Sequence, residues 1–198
     1  MRSEKKMSSS LAVIIGGTGS IGADCAEEFI SRRPDTEVMI LGRASVPSID
    51  LLSEESISEA AAKAASKKLP VSIVLVATGI LHTELVQPEK TWKQIKQPAL
   101  DTLFRVNAIG PMLIMKHFLP LLPKLEKSVF ACLSARVGST TDNELGGWYG
   151  YRASKAALNQ FVKTASIELS RTRPRAICMA IHPGTVATGL SDPFSKNG

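Results

Sequence analysis

The sequence predicts a three-layer α/β/α domain, a parallel sheet doubly wound with helices on both faces. Two observations carry this. Short apolar runs alternate with longer amphipathic segments along nearly the whole chain, and the first apolar run ends in glycines just where a helical pattern begins. At 198 residues, 44% hydrophobic and 21% charged, the chain has ordinary globular composition and the length of one domain. Met1 to Ser10 is polar and basic and is expected to be a flexible tail, leaving 11–198 as a single domain.

Leu11 to Ile15 is a continuous apolar run, the pattern of a strand buried on both faces. Ile21 to Arg33 places Ala26, Phe29 and Ile30 at helical spacing and stops before Pro34. Val38 to Leu41 is the second strand, closed by Gly42. Ser53 to Lys68 opens with Ser-Glu-Glu-Ser and runs through alanines, a helix that ends before Pro70. Val71 to Val76 is again a strand. Thr102 to Leu122 is long enough for a central helix, in which Pro111 predicts a kink. Ser128 to Leu133 is a strand, Tyr151 to Leu169 a helix, and Arg175 to Ile181 the last strand.

Several function classes are set aside at this point. No apolar run approaches the length that spans a bilayer, and Leu11 to Ile15 is too short for the core of a signal peptide. A cytoplasmic protein with no membrane partner is the expectation. Cys25, Cys132 and Cys178 lie far apart without metal-ligand or redox spacing, so no metal site is expected. The net charge of +6, from 24 basic and 18 acidic side chains, is scattered singly, and no nucleic-acid partner is expected.

The glycine cluster reads Gly16-Gly17-Thr18-Gly19-Ser20-Ile21-Gly22, between a strand and a helix. Glycines there let the backbone approach a pyrophosphate, and the helix start offers free N–H groups and a positive dipole end, as in a Rossmann-type domain. The second strand ends at Leu41-Gly42-Arg43, where such domains discriminate the ribose 2′ group. A carboxylate would repel a 2′-phosphate, whereas the guanidinium of Arg43 suits one, so NADP(H) is preferred over NAD(H).

The sharpest chemistry lies in Tyr151-Arg-Ala-Ser-Lys155. Residues i and i+4 share a helix face, so the phenol and the ammonium can meet one small volume. A lysine cation there stabilises a phenolate and is expected to bring the tyrosine nearer a useful pKa.

Gly16 to Gly22, Asn107, Ser134 and Tyr151 with Lys155 together resemble the short-chain dehydrogenase/reductase family of the classical type. Ala156 to Phe161 and His182 to Thr188 extend the resemblance, and the wording from Gly146 to Leu158 is similar to small carbonyl reductases and C-factor-like proteins. The resemblance implies an NADP(H)-dependent oxidoreductase that interconverts a small carbonyl compound and its alcohol. Tyr151 would be the acid/base, and Lys155 would tune it and bind the nicotinamide ribose. Asn107 would help hold a water behind the lysine. It also implies nucleotide contacts at Gly16, Thr18, Gly19, Ser20, Ile21, Gly22, Asp50, Gly79, Pro183, Gly184, Val186 and Thr188, and a homodimer or tetramer.

Departures from the family pattern motivate two other readings. The spacing of Gly16, Gly19 and Gly22 also occurs in the extended branch that includes sugar epimerases. The family's asparagine-rich segment after the fourth strand is Val76-Ala77-Thr78-Gly79 here. Counting back from Gly138 puts the catalytic serine at Ala135, while Ser134 stands one place earlier; a bulge would turn Ser134 inward, with Ser139 and Thr140 as alternatives. The chain also ends at Gly198, before the helix and last strand family members carry, so the sheet is expected to lack its usual C-terminal strand, as in a truncated domain. These departures favour, as the alternative, a catalytically weak regulatory or signalling protein of the same fold.

Overall fold

The computed structural model describes residues 9–184. Five parallel strands, β1 (Ser10–Ile15), β2 (Thr36–Leu41), β3 (Val71–Val76), β4 (Ser128–Leu133) and β5 (Ala176–Ile181), form one sheet in the order β2-β1-β3-β4-β5. All five coincide with the apolar runs of the sequence. β1 starts at Ser10, inside the stretch expected to be a tail: the Ser9 N–H donates to Asp35 O, and Ser10 pairs with Thr36.

Helices α1 (Ser20–Arg32), α2 (Glu54–Ser66) and α5 (Tyr149–Thr172) follow the predicted spans closely. Ser53 caps α2 by accepting from Ser56 N, and Glu54 and Glu55 favour its positive end. The central segment differs from the single helix read over Thr102 to Leu122. It comprises α3 (Gln97–Phe104), a π-helical turn over Arg105–Ile109, α4 (Gly110–Phe118) and a 3-10 turn at Leu119–Leu121. Pro98 lies in the first turn of α3, the start signal the sequence reading passed over. Pro111 lacks an N–H, and its ring crowds the carbonyl four residues back, that of Asn107; the backbone widens there instead of kinking sharply.

β1 is apolar from Leu11 to Ile15 because both of its faces are covered. Leu11, Val13 and Ile15 belong to the larger core, with Ile57, Ala60 and Ala64 of α2, Ile114 and Phe118 of α4, and Leu158 and Val162 of α5. Ile14 faces the other way, with Leu75 and Ala131, onto Ala26 of α1. β2 and β5 are the edge strands among the described residues, and β5 leaves Ile177 and Met179 exposed on the face opposite the larger core. The order of the sheet reverses between β1 and β3, and the carboxyl ends of these two strands open the crevice where such sheets bind ligands.

Phe118 is fully buried in the larger core. Phe118→Ala is expected to cost about 3–5 kcal/mol of stability, by transfer and cavity effects together, read as a lowered urea midpoint with unchanged slope.

Candidate active site

The glycine turn joins the end of β1 to α1. Gly16 adopts φ +83°, and a Cβ there would stand 2.8 Å from Thr78 Cγ2 and 2.9 Å from the Ala77 carbonyl, so the turn is pressed against the segment that follows β3. At Gly22 a Cβ would stand 2.3 Å from Gly16 O, closer than atoms can approach. The turn and the first helical turn therefore touch backbone to backbone. α1 begins at Ser20, with Gly19 as an N-cap that offers no side chain and with no acidic residue in its first turn, while Thr18, Gly19 and Ser20 are exposed. Uncapped N–H groups around Ser20 and Ile21 and an open glycine cradle fit the diphosphate of a dinucleotide.

Two other predicted nucleotide contacts lie nearby in the chain. Arg43 is exposed in the turn after β2, next to Gly42, against which the Thr18 hydroxyl packs. Asp50 is exposed at the entry to α2, where its Oδ1 accepts from Leu52 N at 2.9 Å, the turn-forming use of an aspartate. Pro183 and Gly184 are exposed just beyond β5. Val186 and Thr188 lie outside the described residues.

Lys155 and Tyr151 lie on one face of α5 and are 3% and 8% exposed. The Lys155 Nζ donates to Leu133 O at 2.9 Å and lies 5.9 Å from the centroid of the Tyr151 ring. Gly79 is what lets the ammonium in: a Cβ there would stand 3.2 Å from Nζ and 3.3 Å from Asn107 Oδ1. Burial pushes the Lys155 pKa down from 10.5 to about 8 and the Tyr151 phenol up from 10.0 to about 12. The sequence reading expected the lysine to lower the phenol. In the structure desolvation of the buried phenol prevails.

Asn107 occupies the π-helical turn and is completely buried. Its Oδ1 accepts from Ile80 N and its Nδ2 donates to Ile80 O, both at 2.8 Å, and Nδ2 also donates to Ser154 Oγ at 3.2 Å. Both of its amide donors are thus committed to protein atoms, and the side chain clamps the segment after Gly79 to α5.

Ser134 requires a correction. The β4–β5 ladder runs in regular register through Leu133↔Ile181 and continues with Ser134 N donating to Ile181 O, so no bulge turns the residue. By strand alternation Ser134 shares the face of Phe130 and Cys132, toward α5, and its Oγ donates to Asn159 Oδ1 at 2.6 Å. Asn159 lies two turns beyond Tyr151, roughly 12 Å along the helix axis. The side chain that packs with Tyr151, Leu81, Val86 and Leu103 is that of Ala135. Of the alternatives, Ser139 is half-buried and its hydroxyl shares a hydrogen bond with Thr141 Oγ1, while Thr140 is exposed in the same loop.

Sequence reasoning missed three residues around Tyr151: Glu89, Trp148 and Arg152. Trp148 meets the Tyr151 ring edge-on, with centroids 6.2 Å apart and planes at 71°. Only the Gly146-Gly147 pair before it signalled an unusual backbone.

An open glycine cradle at a helix start, beside a buried phenol–ammonium pair at the carboxyl ends of a parallel sheet, suits the chemistry of a nicotinamide-nucleotide oxidoreductase. The short chain dehydrogenase family matches residues 10–197, and the chain belongs to that family. A 1-hydroxy-2-glutathionyl-2-methyl-3-butene dehydrogenase of Rhodococcus sp. (strain AD45) is 26% identical over 194 residues, covering 93% of this chain and 81% of its own. The C-signal protein of Myxococcus xanthus is 38% identical over 91 residues, covering 46% of this chain and 53% of its own. A short-chain dehydrogenase/reductase from Burkholderia multivorans, solved with bound NADP, superposes with a TM-score of 0.80 at 25% identity, covering 93% of this chain and 83% of that one.

The buried ammonium makes stability depend on pH. The folded chain holds the Lys155 proton less tightly than the unfolded chain, so the contribution is full above 10.5 and is lost as pH falls through about 8. At pH 7 the burial costs on the order of 3 kcal/mol before the bond to Leu133 O is counted. Lys155→Met is therefore expected to be more stable than the parent at pH 7, by about 1–3 kcal/mol in urea unfolding. That advantage shrinks as pH rises above about 8; a difference constant from pH 7 to 10 would show that the ammonium carries no such cost.

Proposed function

We propose that this chain is an NADP(H)-dependent carbonyl reductase or alcohol dehydrogenase for a small apolar substrate, with Tyr151 as the proton donor and acceptor. The observation that carries it is the convergence of Tyr151, Lys155, Asn107 and Gly79 beside the glycine turn. A nicotinamide held here would supply or take up the hydride at the carbonyl carbon. In reduction the Tyr151 hydroxyl gives its proton to the carbonyl oxygen, and the resulting phenolate is stabilised by the Lys155 ammonium. Each charge is costly alone in this site, as the opposed shifts of the two groups record, and each lowers the cost of the other when both are present. In oxidation the phenolate takes the proton back.

Arg43, exposed after β2, supports the preference for a 2′-phosphate. Leu85 and Leu145 support an apolar substrate: they are 91% and 93% exposed on the two loops, following β3 and β4, that meet at the start of α5. Ala135 in place of a hydroxyl leaves the carbonyl oxygen with Tyr151 as its donor in this cluster, which favours slow turnover and keeps the signalling reading in play.

The test is NADPH consumption with a panel of ketones and aldehydes, beside fluorescence titration of NADPH binding. Tyr151→Phe is expected to lower kcat at least ~10²-fold with little change in NADPH affinity. Equal turnover by parent and variant would remove Tyr151 as the acid, and tight binding without any turnover would favour the signalling protein. Ala135→Ser is expected to raise kcat, whereas Ser134→Ala changes it little because that hydroxyl serves Asn159. Arg43→Ala is expected to weaken NADPH about tenfold or more and NADH hardly at all, the loss of a charge-assisted bond to phosphate.

A further inference from the structure

The backbone that leads into α5 is left-handed at three successive residues, Gly146 (φ +65°), Gly147 (φ +67°) and Trp148 (φ +54°). Two glycines adopt this conformation freely, but tryptophan does so at a cost, and such a residue persists where its surroundings fix it. Two side chains on opposite sides of the turn do so. The Arg152 guanidinium, one turn into α5, donates from Nε to Gly147 O at 3.0 Å and from Nη2 to Gly146 O at 3.2 Å. Glu89 lies in the loop after β3 and is 4% exposed. Its backbone O accepts from Trp148 N at 2.6 Å, and its Oε2 accepts from Gly150 N at 3.3 Å.

α5 has no side-chain cap of its own, and the Glu89 carboxyl takes that place from another segment. Gly150 makes room for it: a Cβ there would stand 3.1 Å from Glu89 Oε1 and under 3 Å from Leu100 and Leu103 side-chain carbons. Glu89 Oε1 has no hydrogen-bond partner among the described residues, so this carboxyl is buried at a cost that its contact with the helix start has to offset. The residue so fixed, Trp148, stands edge-on to the Tyr151 ring.

We propose that Glu89 and Arg152 are positioning residues that brace the 146–148 turn, holding Trp148 against Tyr151 and thereby aiming the phenol. The ring placement is independent of the reductase reading, and its catalytic consequence rests on that reading. Arg152 acts as a two-pronged clamp on successive carbonyls, and Glu89 ties the same turn to the loop after β3. Loss of either frees Trp148 to leave the left-handed region, and the Tyr151 ring loses the neighbour that limits its rotation.

The chain has two tryptophans, Trp92 and Trp148, so Trp92→Phe leaves Trp148 as the sole reporter. In that background, Glu89→Ala and Arg152→Ala are expected to red-shift Trp148 emission and raise its quenching by acrylamide, with NADPH affinity within about twofold of the parent. Turnover is expected to fall in kcat by about tenfold or more, the effect of a small misplacement of the reacting group, with KM changed far less. Glu89→Gln keeps an oxygen for Gly150 N and Arg152→Lys keeps a donor for the carbonyls, and both are expected to recover part of kcat and of the emission. Unchanged emission in both alanine variants overturns the brace, and shifted emission with unchanged kcat overturns its role in aiming Tyr151. If the parent binds NADPH but reduces nothing, the reductase reading fails by itself, and the brace stands or falls on the emission alone.

Discussion

The Lys155 ammonium, almost fully buried with its hydrogen bond to Leu133 O, is the feature around which the rest of the site is arranged. A charge in that position is unfavourable for folding, and the surrounding architecture serves to admit it. Gly79 leaves the space, Asn107 pins the neighbouring strand end to α5, and the last carbonyl of β4 accepts the bond. Each of these belongs to a different element. The ammonium can be held only when β3, β4, the π-helical turn and α5 are all in place, so the site is a report on the integrity of the whole sheet.

The same arrangement explains why the central helix is irregular. Pro111 forces the widened turn, and within it the amide of Asn107 is buried and meets both backbone groups of Ile80. A local defect in helix geometry is thus the means by which one amide joins two layers of the domain.

Most of the fold was legible because the strands of a parallel sheet are written as short, largely apolar runs, and all five were. The glycine turn and the Tyr151–Lys155 pair were legible for a similar reason, since local spacing alone fixes their geometry. Ser134 was not. Which of two adjacent residues faces a cleft depends on the register of β4 against β5 and on the residue just past the strand, and neither is encoded in a local pattern. The helix start at Gln97 was not legible because Lys96 before it offers no capping side chain and Pro98 alone marks the first turn. Glu89 was invisible because its partner Gly150 lies sixty-one residues away, in a different loop.

Ala135 shows what the site can do with fewer parts. A carbonyl substrate held by two hydroxyls has its oxygen fixed before proton transfer; held by the phenol alone, it depends on how well that phenol is itself fixed. The rotation of the Tyr151 ring is bounded by Leu81, Val86, Leu103 and the edge of Trp148. Where an oriented hydroxyl is missing, packing around the remaining donor has to supply the orientation, because proximity without alignment contributes little to a proton transfer. The left-handed turn at 146–148 is the conformationally costly piece of backbone closest to that ring, and its cost is intelligible as the means of holding one aromatic edge in place.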